Sequence, residues 1–201
     1  MHSEIVILAM LRQGPRHGYE IKKDIERALG GTVPLNNKTL YLALKRFEER
    51  GAVTRQVIPQ EGKPNRHLYY LTERGVALLH TLLCDFPPDL AANEAEFFTR
   101  VAFFEFLDLP EREVILNKRL AYLQGCLDYL QRMQEMATEG EGAPGTGLSL
   151  SNAQRVLAFH LQRVRHEYHW IATWLEEMQA NQPGRHKASH EEDHTTGKGN
   201  L

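Results

Sequence analysis

Residues 36–51 read NNKTLYLALKRFEERG and carry the periodicity of one amphipathic helix. Leu40, Leu44 and Phe47 are spaced by four and then three positions, so a helix places them together on one buried face. Gly51 follows the last periodic residues and supplies a C-terminal stop. The segment therefore predicts a helix that ends near Arg50.

The opposite face of this helix is polar and basic. At about 100° per residue, four side chains point away from the apolar face: Lys38, Leu42, Lys45 and Glu49. Tyr41 and Arg46 flank that outward face. Asn36 or Asn37 can cap the helix by accepting a hydrogen bond from a free backbone N–H. The pattern is typical of a helix that is anchored on one side and presents polar groups on the other.

The neighbouring segments complete a compact arrangement. Two helices are predicted before this one, separated by the break at Gly14 and Pro15, with the second running from about His17 to Leu29. Two strands are predicted after it, at 53–58 and 66–71, joined by a turn-rich loop. Helix, turn, helix and hairpin is the element order of a winged helix-turn-helix. Thr72 is the expected cap of a following helix that runs toward Cys84.

The remainder is predicted to be all helix. Asp85-Phe86-Pro87-Pro88-Asp89 predicts a boundary, which divides the chain into a DNA-binding domain at 1–85 and a helical dimerisation or effector domain at 86–182. Residues 94–107 are predicted to be one helix that is apolar on several sides. A polar tail at 183–201 is predicted to be disordered. The fold class is mainly α with a small β wing.

Two leucine-rich stripes in the second domain have heptad spacing. They indicate helix-on-helix packing, and we interpret them as the seams of a homodimer. The first stripe comprises Leu116, Leu120, Leu123, Leu127 and Leu130. The second comprises Leu157, Leu161, Val164, Tyr168, Ile171, Leu175 and Met178.

Composition and charge narrow the class of protein. Of the 201 residues, 42% are hydrophobic and 25% are charged, as in ordinary globular proteins. The net charge of −2 divides into about +4 up to Asp85 and −6 after it, and a mildly basic first part suits a phosphate-facing surface. No secretory signal or transmembrane stretch is evident, and Cys84 and Cys126 have no disulfide or metal-ligand spacing. These features favour a cytoplasmic protein without disulfides.

Several blocks of sequence together resemble the PadR family of transcription regulators. They are Ile7-Leu8, GPRHGYEI at 14–21, TLYLALKRFE at 39–48 with Gly51, Gly62-Lys63-Pro64, and YYLT at 69–72 with Gly75. The resemblance implies a winged helix that binds DNA and a variable C-terminal dimerisation region. Leu42 stands where the family often has proline, and Asn36-Asn37-Lys38 also departs from its pattern, so no base preference is carried over.

The chemistry of this helix and of the wing predicts the DNA contacts. Side chains in the first turns of a helix in the major groove read base edges, where Asn pairs with adenine and Lys with guanine. Hydroxyls of Thr and Tyr more often meet phosphate. The predicted DNA-binding residues are Asn37, Lys38, Thr39, Tyr41, Lys45 and Arg46 on the helix, with Lys63 and Arg66 in the wing.

Parts of the second domain are compatible with two other kinds of site. Aromatic residues of the second domain, namely Phe97, Phe103, Trp170 and Trp174, form a candidate pocket for a flat apolar effector, although core packing explains them equally well. His160, His166, Glu167 and His169 lie on the last helix, but they show no converging ligand set, and the tail histidines suit only adventitious metal binding. We therefore expect no metal and no cofactor.

The sequence as a whole predicts a regulator of transcription, most simply a repressor, that binds a pseudo-palindromic operator as a homodimer. A small apolar or aromatic effector would release it. The alternative is a winged helix that serves as a protein-binding module without DNA binding. No nucleophile elbow, phosphate-binding glycine loop or carboxylate pair indicates an enzyme.

Overall fold

A computed structural model describes residues 2–28, 36–62, 65–139 and 150–181. Within these ranges the helices of the first part are α1 (His2–Arg12), α2 (Gly18–Ala28), α3 (Asn37–Glu49) and α4 (Glu73–Cys84). Those of the second part are α5 (Pro88–Ala91), α6 (Glu94–Val101), α7 (Leu109–Glu139) and α8 (Leu150–Ala180), with a 3-10 turn at Phe104–Phe106. Lys63 and the predicted tail at 183–201 lie outside the described residues.

A small antiparallel sheet forms the wing. Its strands are β1 (Arg16–His17), β2 (Val53–Ile58) and β3 (Arg66–Leu71), and β3 lies in the middle. The hairpin register runs from Val53 opposite Leu71 to Ile58 opposite Arg66. The predicted fold class and both hairpin strands are confirmed. The short strand β1 was not predicted, because two residues carry no periodicity and are defined only by pairing with Leu68 and Tyr69.

Helix α1 is the centre of the first core. Every residue from Ile5 to Leu11 is buried, so the helix is covered on all sides rather than on one face. It packs against α2, α3, α4, α6 and β3. A helix that is apolar all round belongs in the interior of a fold, and here it joins the winged helix to the helices that follow.

The turn between α1 and α2 is fixed by its own side chains. Gly14 has a φ of 146°, which favours glycine. Arg16 donates to the carbonyl of Met10 and pairs with Asp24 of α2 at 2.7 Å. Glu20 accepts the backbone N–H of His17, and this hydrogen bond lowers the pKa of the Glu20 carboxyl. The turn thereby sets how α2 leaves α1.

The start of α4 closes tightly on the end of α3. Thr72 caps α4, as predicted, by accepting the N–H of Gly75, and its hydroxyl donates to the carbonyl of Gly51. Gly75 is buried so closely that an added Cβ would lie 2.1 Å from the carbonyl oxygen of Ala52. Only glycine fits between α4 and this backbone.

The predicted single helix at 94–107 is wrong in its length. Helix α6 ends at Val101, and a 3-10 turn at Phe104–Phe106 follows. The buried apolar residues of this segment are divided by the bend: Phe97 lies in α6, Phe104 lies in the 3-10 turn and Leu107 follows that turn. A run that is apolar on all sides is equally compatible with one buried helix and with a buried turn, which is why the pattern misled.

Arg100 of α6 is fully buried and binds the C-terminal end of α4. Its guanidinium donates to the carbonyls of Leu82, Leu83 and Asp85 and pairs with Glu96 at 2.7 Å. Cations at a helix C-terminus satisfy carbonyls that lack partners in the helix. Arg100 thereby joins α6, which follows the predicted boundary, to α4, which precedes it. The division of the chain after Asp85 into two domains stays a prediction.

The carboxyl of Glu96 is held ionised in this junction. Burial alone would raise its pKa, but hydrogen bonds from Arg100 and from the backbone N–H of His2 outweigh burial and lower the pKa to about 2. The buried pair is therefore complete over the ordinary pH range. Removing one member would leave an uncompensated buried charge, and we expect this to lower the free energy of unfolding by about 3–5 kcal/mol.

The long helices α7 and α8 pack against each other within the chain. Leu116, Leu123 and Ile171 are buried between them, and Val164 is nearly so. The leucine stripes therefore pack helix on helix, as predicted, but their partners belong to the same chain. The dimer seam that was based on them needs a different surface.

No helix among the described residues is long and apolar enough to cross a membrane.

Two glycine substitutions should change stability in opposite directions. Gly75→Ala is expected to lower the free energy of unfolding by about 1–3 kcal/mol or more, because the new methyl group meets backbone that cannot move cheaply. The control is Gly125→Ala in the interior of α7, where nothing lies within 4 Å of an added Cβ. It should raise stability by about 0.5–1 kcal/mol. Denaturant melts check both, and a stabilised Gly75→Ala would refute the close approach.

Candidate nucleic-acid interface

Helix α3 is anchored through one face. Leu40, Leu44 and Phe47 are each 1% exposed, and Ala43 is buried beside them. Tyr41 and Leu42 on the outward side are 48% and 45% exposed. The division of the helix into a buried and an outward face is as predicted. The core thus fixes the direction in which the polar side chains of α3 point.

The N-terminal turn of α3 is open to solvent. Asn36 caps it by accepting the N–H of Thr39 at 2.8 Å, which settles which of the two asparagines is the cap. Asn37, Lys38 and Thr39 are all exposed. A helix N-terminus carries partial positive charge, which favours anionic groups near it. The three side chains therefore occupy the end of the helix that best suits phosphates and base edges.

Tyr41 lies one turn further along and leans against the start of α2. An added Cβ at Gly18 would lie 2.8 Å from the Tyr41 hydroxyl oxygen, so the ring rests on the glycine. Contact with Gly18 therefore holds the aromatic ring in place, although about half of Tyr41 is exposed to solvent. Its hydroxyl is placed at the edge of the α3 face rather than at its centre.

The basic residues of this surface differ in how they are paired. Lys45 lies 3.8 Å from Glu49, and Arg55 of β2 lies 3.3 Å from Glu48. The ion pairs formed among the described residues include neither Lys38 nor Arg66. Arg46 is likewise absent from the ion pairs of the described residues, whereas Lys45 is partly neutralised by Glu49.

The wing brings Arg66 toward Tyr41. Both residues line one cavity of about 250 Å³ between α2, α3 and β3, together with Gly18 and Asn65. His17 and Tyr19 line it too, and their rings stack with centroids 5.9 Å apart. The Nδ1 atom of His17 lies 2.9 Å from the carbonyl oxygen of His67, which ties β1 to the wing strand.

Most of the predicted DNA-binding residues share one surface. Six lie on the exposed side or first turn of α3, and Arg66 stands beside Tyr41 in the wing. Lys63 lies outside the described residues. His17 and Tyr19 also line this surface but were not predicted as site residues. They belong to the sequence GPRHGYEI at 14–21, which resembles the PadR family, so the family pattern rather than periodicity could have identified them.

Comparison with known proteins agrees with this geometry. Residues 7–81 match the family described as "Transcriptional regulator PadR-like family". The "Negative transcriptional regulator PadR" of Bacillus subtilis (strain 168) is 28% identical over 129 residues, which cover 64% of this chain and 71% of that protein. Residues 7–81 therefore form a PadR-like domain. Members of this family are regulators and not enzymes.

Two solved structures are also similar to the chain. The crystal structure of Bacillus subtilis PadR in complex with operator DNA is 24% identical, covers 87% of this chain and 96% of its own, and has a TM-score of 0.40. The same protein in complex with p-coumaric acid is 22% identical, covers 89% and 96%, and has a TM-score of 0.39.

The predicted effector residues lie in the helices that follow the PadR-like domain, and they do not share a cavity. Phe97 and Phe103 are buried core residues. Trp170 and Trp174 lie on α8 with ring centroids 5.5 Å apart and line a shallow surface depression with histidines 166 and 169. Phe97 and Phe103 are therefore core residues, whereas Trp170 is exposed and Trp174 is partly buried against the core.

A larger groove lies between α7 and α8. Its volume is about 530 Å³, and Tyr122, Tyr129 and His160 line it. Arg119 forms its floor, held by Glu167 at 2.6 Å and by the carbonyl of Ala91 at the same distance. Sequence reasoning did not find this groove, because its polar groups come from two helices that are distant in sequence.

Two leucines of α3 test which face of this helix is buried. Leu44→Ala should lower the free energy of unfolding by about 2–5 kcal/mol, as expected of a buried large-to-small change. Leu42→Ala makes the same chemical change on the exposed face and should stay within about 0.5 kcal/mol of the parent. Denaturant melts of both variants decide, and similar losses in the two would show that the assigned faces are wrong.

Proposed function

We propose that the chain binds double-stranded DNA with the exposed face of α3 in the major groove. The observation that carries the proposal is the capped, solvent-exposed N-terminus of α3, where Asn37 and Lys38 lie one turn before Tyr41, the residue that shares a cavity with the wing residue Arg66. The buried face of α3 holds this end rigidly, so the side chains need little ordering on binding. The element order is that of winged-helix DNA-binding domains.

The residues of the surface divide by role. Asn37 and Lys38 lie in the first turn and read base edges, because their amide and ammonium groups match adenine and guanine. Thr39 and Tyr41 bind phosphate through their hydroxyls. The remaining basic residues contact the backbone, and these are Lys45, Arg46, Lys63 and Arg66.

Lys45 contributes less than Lys38 in this account. Its ammonium group faces Glu49 at 3.8 Å in the free protein, so a phosphate must compete with a carboxylate that is already present. Exposed pairs of this kind are weak, and about 0.2–1 kcal/mol is typical. Lys38 has no such competitor among the described residues and therefore offers its full charge.

A lysine on the recognition surface should behave differently from a distant lysine. Lys38→Ala is expected to weaken binding to the preferred duplex by about 1–3 kcal/mol and to relax the preferred sequence, because a base contact is lost. The control is Lys118→Ala on the exposed side of α7, which removes the same charge far from α3. It should leave affinity and sequence preference unchanged.

Fluorescence anisotropy with labelled duplexes at several salt concentrations measures both variants. The parent should lose affinity steeply as salt rises, since phosphate contacts release counterions. If DNA binding by the parent did not depend on salt concentration, this would contradict the proposal and favour a protein-binding module. Equal losses in Lys38→Ala and Lys118→Ala would show that net charge, not the α3 face, governs binding.

We further propose that the protein is a cytoplasmic repressor that acts as a homodimer on a pseudo-palindromic operator. The name of the Bacillus subtilis relative, a negative transcriptional regulator, supports repression. Two-fold symmetric operators match two-fold symmetric proteins, and one winged helix provides only half of the contacts. A small apolar or aromatic effector would bind at Trp170, which is exposed, and Trp174, which is partly buried, and shift the dimer between two shapes.

The surface for dimerisation is a second apolar stripe on α7. Tyr122, Cys126, Tyr129, Met133 and Met136 are spaced by four and three positions, about a third of a turn away from the leucine stripe. The four large residues of this stripe remain 37–65% exposed, whereas the leucines are packed against α8. A second heptad stripe whose large side chains remain this exposed is the expected face for another copy.

A charge placed in this stripe should separate the protomers. Met133→Glu is expected to weaken dimerisation at least tenfold, because the carboxylate would be buried without a partner, and a factor of ten needs only about 1.4 kcal/mol. Gln131→Glu adds the same charge on the exposed opposite side of α7 and should remain dimeric. Sedimentation velocity measures both. A Met133→Glu variant that associates like the parent would exclude this face.

A further inference from the structure

Three potential metal ligands meet where α4 approaches the start of α7. His80 and Cys84 are one turn apart on α4, and Glu111 lies in the first turn of α7. The Nε2 atom of His80 is 2.8 Å from Oε1 of Glu111, and Sγ of Cys84 is 3.4 Å from the same oxygen and 3.9 Å from Nε2. One ligand atom from each residue therefore lies within 4.8 Å of the others.

The chemistry of the three donors is selective. An imidazole nitrogen, a thiolate sulfur and a carboxylate oxygen are the ligands that Zn²⁺ takes in proteins, at about 2.0–2.3 Å each. A thiolate and an imidazole do not suit Mg²⁺ or Ca²⁺, which prefer oxygen. Spacing of i and i+4 places the His80 and Cys84 side chains on one side of α4, so both point at Glu111 without rearrangement of the helix.

Glu111 is held in place by an interaction of its own. Its Oε2 accepts the backbone N–H of Asp108 at 3.0 Å, while its backbone N–H donates to Oδ1 of Asp108 at 2.9 Å. This reciprocal pair is a capping box at the start of α7. One carboxylate oxygen is thereby occupied by the helix cap, and the other is directed toward His80 and Cys84. Such support is typical of residues that orient a metal ligand.

We propose that His80, Cys84 and Glu111 form a binding site for a divalent transition metal of the Zn²⁺ type. Binding displaces the thiol proton of Cys84 to solvent and replaces the hydrogen bonds among the three side chains with bonds to the ion. Half of the His80 side chain is exposed, so solvent reaches the site and a water supplies the fourth ligand. The ion joins the last helix of the PadR-like domain to the first long helix that follows it.

This site lies apart from the DNA-facing surface and does not rest on the proposed function. None of its residues lies on α3 or in the wing. A regulator with such a site would have α4 and α7 cross-linked when metal is bound and linked only by hydrogen bonds when it is not. The site therefore provides a route by which metal availability reaches the junction between the two halves of the protein.

Titration of the purified, reduced full chain with Co²⁺ tests the site, because a cobalt–thiolate bond gives a charge-transfer absorption that histidines alone do not. We expect the band to saturate at one Co²⁺ per chain and to disappear in Cys84→Ser. Cys126→Ser removes the chain's other cysteine and should retain the band. Glu111→Gln should weaken binding by at least tenfold. The tail histidines bind Co²⁺ without this band and so do not confuse the result.

A second measurement keeps the test independent of cobalt. Zn²⁺ at about a hundred times its Kd should raise the Tm of the parent and of Cys126→Ser by several degrees, and leave that of Cys84→Ser unchanged. Circular dichroism confirms that each variant is folded. The absence of a charge-transfer band in the parent, or its survival in folded Cys84→Ser, would overturn the proposal.

Discussion

The buried guanidinium of Arg100 is the constraint on which the arrangement depends. It is 0% exposed and satisfies three carbonyls at the end of α4, and its carboxylate partner Glu96 also accepts the N–H of His2. The Arg100–Glu96 pair therefore ties α1, α4 and α6 together. An unpaired charge buried at this position would strongly destabilise the fold. The position of α6 is therefore determined by the hydrogen bonds of Arg100 as well as by apolar contact. With α6 fixed, α1 is enclosed and the core beneath α3 is complete.

The exposed face of α3 is a consequence of that core. Helix α3 packs on α1 and α2 through Leu40, Leu44 and Phe47, so its polar face has one direction only. The tight contact of Gly75 with the backbone of Ala52 then sets where α4 leaves the wing. The stability of the interior and the geometry of the surface are thus properties of the same residues, since the site has no scaffold apart from the core of the winged helix.

Local pattern predicted the parts of the molecule that local interactions determine. The faces of α3, the two hairpin strands and the cap at Thr72 follow from periodicity and capping chemistry within a few residues. The misses share a different cause. Arg100 interrupts an apolar run in the sequence and gave no sign of its three carbonyl partners, and Glu111 meets His80 and Cys84 only after folding. Contacts across long sequence separations leave no periodic trace in a single sequence.

The most direct test of the central claim is selection of bound sequences from a pool of random duplex DNA by the purified full chain. The account predicts enrichment of inverted repeats whose half-sites are centred about one helical turn apart, roughly 10–10.5 base pairs, or a multiple of it. Such a result would require both a reading helix and a two-fold pair of them. Recovery of a pool without enriched sequence, at salt concentrations where non-specific binding is suppressed, would contradict the assignment of α3 as a base-reading helix.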